Sequence, residues 1–194
     1  MPRTKSFNPE EVQEKAMYLF WKNGYKATSL RMLEKEMGIN QFSIYSTFQS
    51  KINLFIQSLR LYRQIVRKSF LNILIDSNGD LNDIETFMKR FVASVKSDKY
   101  PAGCLVANTA AEFGDSNKRV KEELLDYYQM LDDLFSAVLQ KAKSKGEFSK
   151  NRSIDDTAKY LVTATQGMAV TAKIMSKKDM SIYIGNIIDY LKKP

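Results

Sequence analysis

The sequence predicts an all-α protein of about nine helices, on three observations. Apolar residues recur at spacings of three and four along almost the whole chain. Helix-start residues precede these runs, and Gly- or Pro-containing clusters separate them. No segment alternates with period two for long enough to read as a strand, and no internal repeat is present.

The elements follow in order. Asn8-Pro9-Glu10-Glu11 places an N-cap, a Pro at the first helical position and a Glu at the third. Val12, Ala16, Leu19 and Phe20 then share a face until Gly24. Thr28 is read as the cap of the second helix, with Leu30, Leu33 and Met37 inward. Asn40 caps the third, with Ile44 and Phe48 inward. Ser50 caps the fourth, which runs from Leu54 to Leu74 until Asp76-Ser77-Asn78-Gly79-Asp80 breaks it. The fifth spans about 81–96. Tyr100-Pro101-Ala102-Gly103 precedes a short sixth helix ending at Phe113. Gly114-Asp115-Ser116 opens a long seventh, with Gly146 at its C-terminal end. Ser153 begins the eighth, which runs to about Met175, and the ninth covers Met180 to Leu191.

Composition narrows the function. With 194 residues the chain is long enough to bury a core in one or two domains. It has no apolar span of membrane length and no apolar stretch after its basic start, so export and a membrane location are not expected. A single cysteine fits a reducing, cytoplasmic setting. The absence of histidine removes His-based acid–base catalysis and His metal sites, and no phosphate-cradling glycine motif occurs. No enzyme activity, catalytic residue, cofactor or metal is therefore expected. An α-helical enzyme acting on a phosphorylated substrate is the disfavoured alternative, and a nucleoid-type architectural binder is a third.

Charge is segregated. Residues 1–68 carry 12 Lys+Arg against 5 Asp+Glu, and the remainder carries 18 against 17. A basic module on a near-neutral body points to phosphate binding by the first third. Thr28 to Lys51 reads as a helix-turn-helix, the layout that holds a helix in the major groove of DNA. With Ile44 and Phe48 inward, Gln41, Phe42, Tyr45 and Ser46 lie on the outer face of the third helix. Gln41 suits an adenine edge and Phe42 a thymine methyl. Thr28, Ser29 and Lys51 stand where helix N-termini attract phosphate. Arg3 and Lys5 form a basic arm that either reaches DNA or is a simple tail.

Gly24-Tyr25, Thr28-Ser29-Leu30-Arg31, Leu33, Gly38-Ile39, Ser43-Ile44-Tyr45, Phe48, Ser50-Lys51 and Leu54 stand in order and without a gap. This string resembles the TetR family of bacterial transcriptional regulators. The chain departs from that pattern with Phe42, where a small residue is frequent, and Asn53, where Glu is frequent. The resemblance implies a helix-turn-helix DNA-binding domain over 1–50 and a helical ligand-binding and dimerisation domain over 51–194. It implies a homodimeric repressor on double-stranded, near-palindromic operator DNA, released by a small-molecule effector. It also implies phosphate contacts from Tyr45 and Lys51.

The eighth and ninth helices are apolar on more than one face, so a second protomer is expected against the last two helices. Tyr62, Phe91, Phe113 and Tyr128, with polar Asn108 and Gln166, are candidate effector contacts, although their spacing also suits core packing. Cys104 stands at a helix start, which favours a reactive thiol, or is a small buried filler. The stretch Gly103–Asn108 resembles a TetR subgroup in which some members sense electrophiles or oxidants through cysteine. Lys173 matches a lysine that recurs in that subgroup. A noncovalent effector in an aromatic cavity is the preferred reading.

Overall fold

The computed structural model describes residues 7–97, 100–101 and 103–192. Among these residues it has ten α-helices and no strand. The basic arm with Arg3 and Lys5 lies outside the described residues.

The first three helices are α1 (Pro9–Asn23), α2 (Leu30–Met37) and α3 (Gln41–Phe48). Asn8 caps α1 and Asn40 caps α3, as their side chains predict. The α2 cap is a correction. Ser29, not Thr28, accepts from the Met32 N–H, while the buried Thr28 hydroxyl donates to the Gly24 carbonyl at 2.6 Å. Ser29 is the extended residue directly before the first helical position, so the cap falls one residue later. Gly38 closes α2 at φ 70°, a left-handed conformation in which a side chain would be strained.

Helix α4 (Lys51–Ser69) ends earlier than its apolar pattern suggests, and a separate short α5 (Asn72–Ile75) follows. The break turns both Leu71 and Leu74 inward, which one continuous rod would not do. Then come α6 (Leu81–Val95), α7 (Leu105–Phe113), α8 (Lys118–Ser144), α9 (Ile154–Thr171) and α10 (Lys177–Lys192). Asn117, the residue after the expected opening, caps α8, and α9 stops at Thr171 rather than near Met175.

Helix α4 belongs to both parts of the molecule. It packs on α1 and α3 at one end and on α5, α7 and α8 along its length. Leu54, Phe55, Ile56, Leu59, Tyr62 and Val66 are all buried. Arg60 and Arg63 fasten it to Glu123 and Asp126 of α8, and Glu123 is only 7% exposed.

The last helix divides its apolar residues. Met180, Ile184, Ile187, Ile188 and Leu191 are buried, and α10 packs on α6. Ile182, Tyr183 and Tyr190 are exposed, as are Tyr160 and Val170 of α9 and Ile174, 87% exposed, beyond it. Ile187→Glu should therefore unfold the protomer itself, because it buries an unpaired charge; a loss of about 3 kcal/mol or more is expected. Ile182→Glu should leave the stability of the separate protomer within about 0.5 kcal/mol, because on the protomer its side chain is in solvent. Urea unfolding of dilute protein compares the two.

Candidate nucleic-acid interface

The helix-turn-helix is held from inside by Leu33 and Met37 of α2 and by Ile44 and Phe48 of α3. All four lie in the same apolar core as Ala16, Met17 and Phe20 of α1. With Ile44 and Phe48 fixed inward, helical geometry sends the intervening positions out. Gln41, Phe42, Tyr45 and Ser46 are all exposed, Phe42 at 80% and Tyr45 at 39%. The Ser46 hydroxyl bonds back to the Ser43 carbonyl at 3.1 Å.

Two features of the site had no clear signal in the sequence. Glu34 Oε1 accepts from the Gln41 N–H at 2.6 Å, so a carboxylate on α2 holds the first turn of α3. Charge-assisted bonds of this kind to a helix N-terminus are favourable twice over, through the bond and the helix dipole. Gln49 ends α3 at φ 69° and is the non-glycine residue at positive φ among those described. Its side chain accepts from Asn53 Nδ2, and Asn53 in turn accepts from Arg119 of α8. Asn53 thus serves a different network from the capping box that a glutamate would make.

The phosphate-facing candidates separate. Ser29 is exposed at the start of α2, whereas Thr28 is buried and its hydroxyl is engaged. A direct contact from the Thr28 side chain is therefore corrected: that hydroxyl positions the loop. Lys51 begins α4, and its ammonium lies 4.3 Å from the centre of the Tyr25 ring. Burial lowers the Lys51 pKa, and nearby Glu112 opposes that shift. Burial, with Glu112 and Tyr45 beside it, raises the Tyr25 phenol.

Residues 14–57 match the model for bacterial regulatory proteins of the tetR family, and residues 81–183 match the tetracyclin repressor-like C-terminal domain. The chain belongs to the TetR family. Among curated relatives of this TetR regulator is the transcriptional repressor ComR of Escherichia coli K12. It is 24% identical over 172 residues, covering 88% of this chain and 82% of ComR. The biofilm operon negative regulator IcaR of Staphylococcus aureus is 22% identical over 61% of this chain and 68% of its own length. A cysteine-substituted form of the TetR family regulator CifR, solved with a 26-bp double-stranded operator, superposes with a TM-score of 0.87. It is 23% identical and covers 97% of this chain and 99% of its own. Reduced NemR of Escherichia coli superposes at 0.79, with 17% identity and 94% of each chain covered. The protein is thus a DNA-binding transcriptional regulator and not an enzyme.

The body of this TetR regulator does not gather the eight candidate effector residues. Tyr62 and Phe91 line a narrow aromatic cavity of about 30 Å³ with Tyr18 and Trp21 of α1, Tyr100 and Tyr127. Tyr128 and Gln166 line a separate open groove of about 600 Å³ between α8 and α9, with Asp132 and Lys159. Phe113 stacks on Phe55 and touches Tyr25, at the junction with the DNA-binding helices. Lys173 packs over Gly103, and its ammonium donates to Asn108 Oδ1 at 2.8 Å.

Cys104 is fully buried at the cap of α7. Its sulfur accepts from the Tyr62 hydroxyl at 3.3 Å and lies 4.0 Å from the Tyr127 hydroxyl. Burial, then the adjacent Cys104, pushes both phenols well above their ordinary value of 10.0. The folded chain therefore holds these protons when the unfolded chain has released them. Stability supported by the neutral phenols is present below pH about 10 and is lost as pH rises beyond it. Urea unfolding across that range should show a steeper decline for the wild type than for the Tyr62→Phe/Tyr127→Phe protein.

Proposed function

We propose that this regulator is a cytoplasmic homodimeric repressor that lays α3 of each protomer into the major groove of a near-palindromic operator. The observation that carries this reading is the outer face of α3, where Phe42 is 80% exposed beside Gln41 and Tyr45. A large apolar side chain held in water on a rigid helix has a reason to be there when a base edge covers it. In this reading Gln41 and Phe42 read bases, while Tyr45, Ser46, Ser29 and Lys51 meet the backbone. The operator complex of CifR and the repressor descriptions of ComR and IcaR support it.

The effector reading is a noncovalent small molecule in the aromatic cavity. Trp21 Nε1 is buried there without a hydrogen-bond partner, which offers a donor to an aromatic ligand carrying an acceptor. Met17, Tyr18 and Trp21 make α1 one wall of that cavity. A ligand that enlarges it displaces a helix of the DNA-binding unit directly. The buried, tyrosine-bonded sulfur of Cys104 favours the filler reading over the sensor reading.

DNA contacts are tested by gel-shift titration across salt and operator variants. Gln41→Ala should cost about 1–3 kcal/mol and act at one position of each half-site. Lys51→Ala should weaken every sequence alike and reduce the salt slope by about one. Equal sequence profiles for the two would refute the division of roles.

The dimer reading rests on the exposed apolar residues Tyr160, Val170, Ile182, Tyr183 and Tyr190 of α9 and α10. A four-helix contact between protomers would cover them. Sedimentation of Ile182→Glu should show a folded monomer; an intact dimer would exclude this face.

A further inference from the structure

Glu112, in the last turn of α7, reaches out of the body to the loop between α1 and α2. Its Oε2 accepts from the Tyr25 N–H at 2.8 Å, and its Oε1 from the Lys26 N–H at 2.6 Å. Lys26 Nζ returns a bond to the Glu112 carbonyl at 3.5 Å. Both amides lie after α1 and before α2. Gly24 makes the approach possible, because a Cβ there would stand 2.9 Å from Glu112 Oε2. Next to the carboxylate, Phe113 packs on Tyr25 and Phe55. Arg119 of α8 also bonds Asn53 near the start of α4, through one exposed hydrogen bond.

We propose that Glu112 is a positioning residue that fixes the angle of the recognition helix to the body and so sets which half-site spacing the protein accepts. The proposal rests on the dimeric, two-half-site reading above. Two charge-assisted bonds to adjacent backbone amides fix the orientation of the loop as well as its position. Helix α2 follows directly from that loop, and α3 is packed on α2. With the carboxylate in place, the body and α3 move as one piece. A rigid dimer then presents two recognition helices at one separation and one relative rotation. Without it, α4 and the aromatic contacts still attach the unit, but its inclination is less restrained.

Glu112→Gln keeps the size of the side chain but replaces one acceptor by a donor, so only one of the two amides is satisfied. Glu112→Asp keeps the charge but is one methylene too short, and gives the same readouts should the Gln variant fail to fold. The probe is the inverted repeat that wild-type protein selects from a random duplex library, together with the same duplex lengthened by two base pairs between half-sites. That insertion rotates one half-site by about 70°. Wild type should lose about 100-fold in affinity on the longer duplex, and the variants about tenfold or less. Affinity for a single half-site is measured alongside, because Glu112 lies near Lys51, and the spacing penalty is read as the ratio between the two duplexes, in which a change at the single half-site cancels. Hydrogen exchange of the Tyr25 and Lys26 amides in DNA-free protein should be about tenfold faster in the variants. A wild-type spacing penalty or wild-type exchange in a folded variant overturns the proposal. If wild type selects no inverted repeat, the dimer reading is what falls, and amide exchange alone decides whether Glu112 fastens the unit.

Discussion

Helix α4 is buried on two sides, and the placement of both parts of the molecule depends on that. Phe55 meets Phe20 of α1 and Tyr25 of the loop after it, and Phe113 from the body. Tyr62, two turns further on, meets Trp21 of α1, Tyr127 of α8 and the sulfur of Cys104. Each large side chain buried in this way contributes roughly 1.5–3 kcal/mol, and α4 carries several. Separating the DNA-binding helices from the body would expose all of them together. A boundary drawn at residue 50 therefore marks a change of role along the chain rather than an independent core, because Ser50 is the cap of the helix that both parts share.

The same packing brings the candidate effector cavity against the DNA-binding unit. Its walls include α1, α4 and α6, so α1 is one of the helices that an enlarged cavity would press on. At about 30 Å³ the cavity has room for little more than one water. The open groove between α8 and α9 is larger, but it lies along α9, beside the exposed apolar residues that suit a second protomer. Volume distinguishes the groove; aromatic lining and contact with α1 distinguish the smaller cavity.

Polar ties complete what apolar packing leaves loose. Arg60 and Arg63 with Glu123 and Asp126 fix α4 along α8. Glu34 fixes the start of α3, and Glu112 meets the loop before α2. These carboxylates sit in or beside the basic third of the chain, where their charge is offset by nearby cations and free amides. A count of net charge over residues 1–68 registers Glu34 only as a subtraction and misses Glu112, Glu123 and Asp126 altogether. Their geometry makes them braces for the surface that the cations present.

The sequence alone determined the helical class, most caps and the inward residues of the first three helices. These are local matters: a cap acts on amides two or three residues away, and a 3.6-residue period assigns faces without knowledge of partners. The outer face of α3 was legible for the same reason, since Ile44 and Phe48 leave Gln41, Phe42, Tyr45 and Ser46 no other direction. Thr28 and Ser29 show the limit of that resolution, because adjacent hydroxyls are equivalent caps until the turn before them is built. Only the tertiary structure decided which apolar residues of α10 face its own core and which face outward. It alone dispersed the eight candidate effector residues, buried Cys104 between two tyrosines and brought Glu112 to amides 86 and 87 residues away. Side chains that far apart in sequence meet through the packing of whole helices, and no local spacing rule encodes that distance.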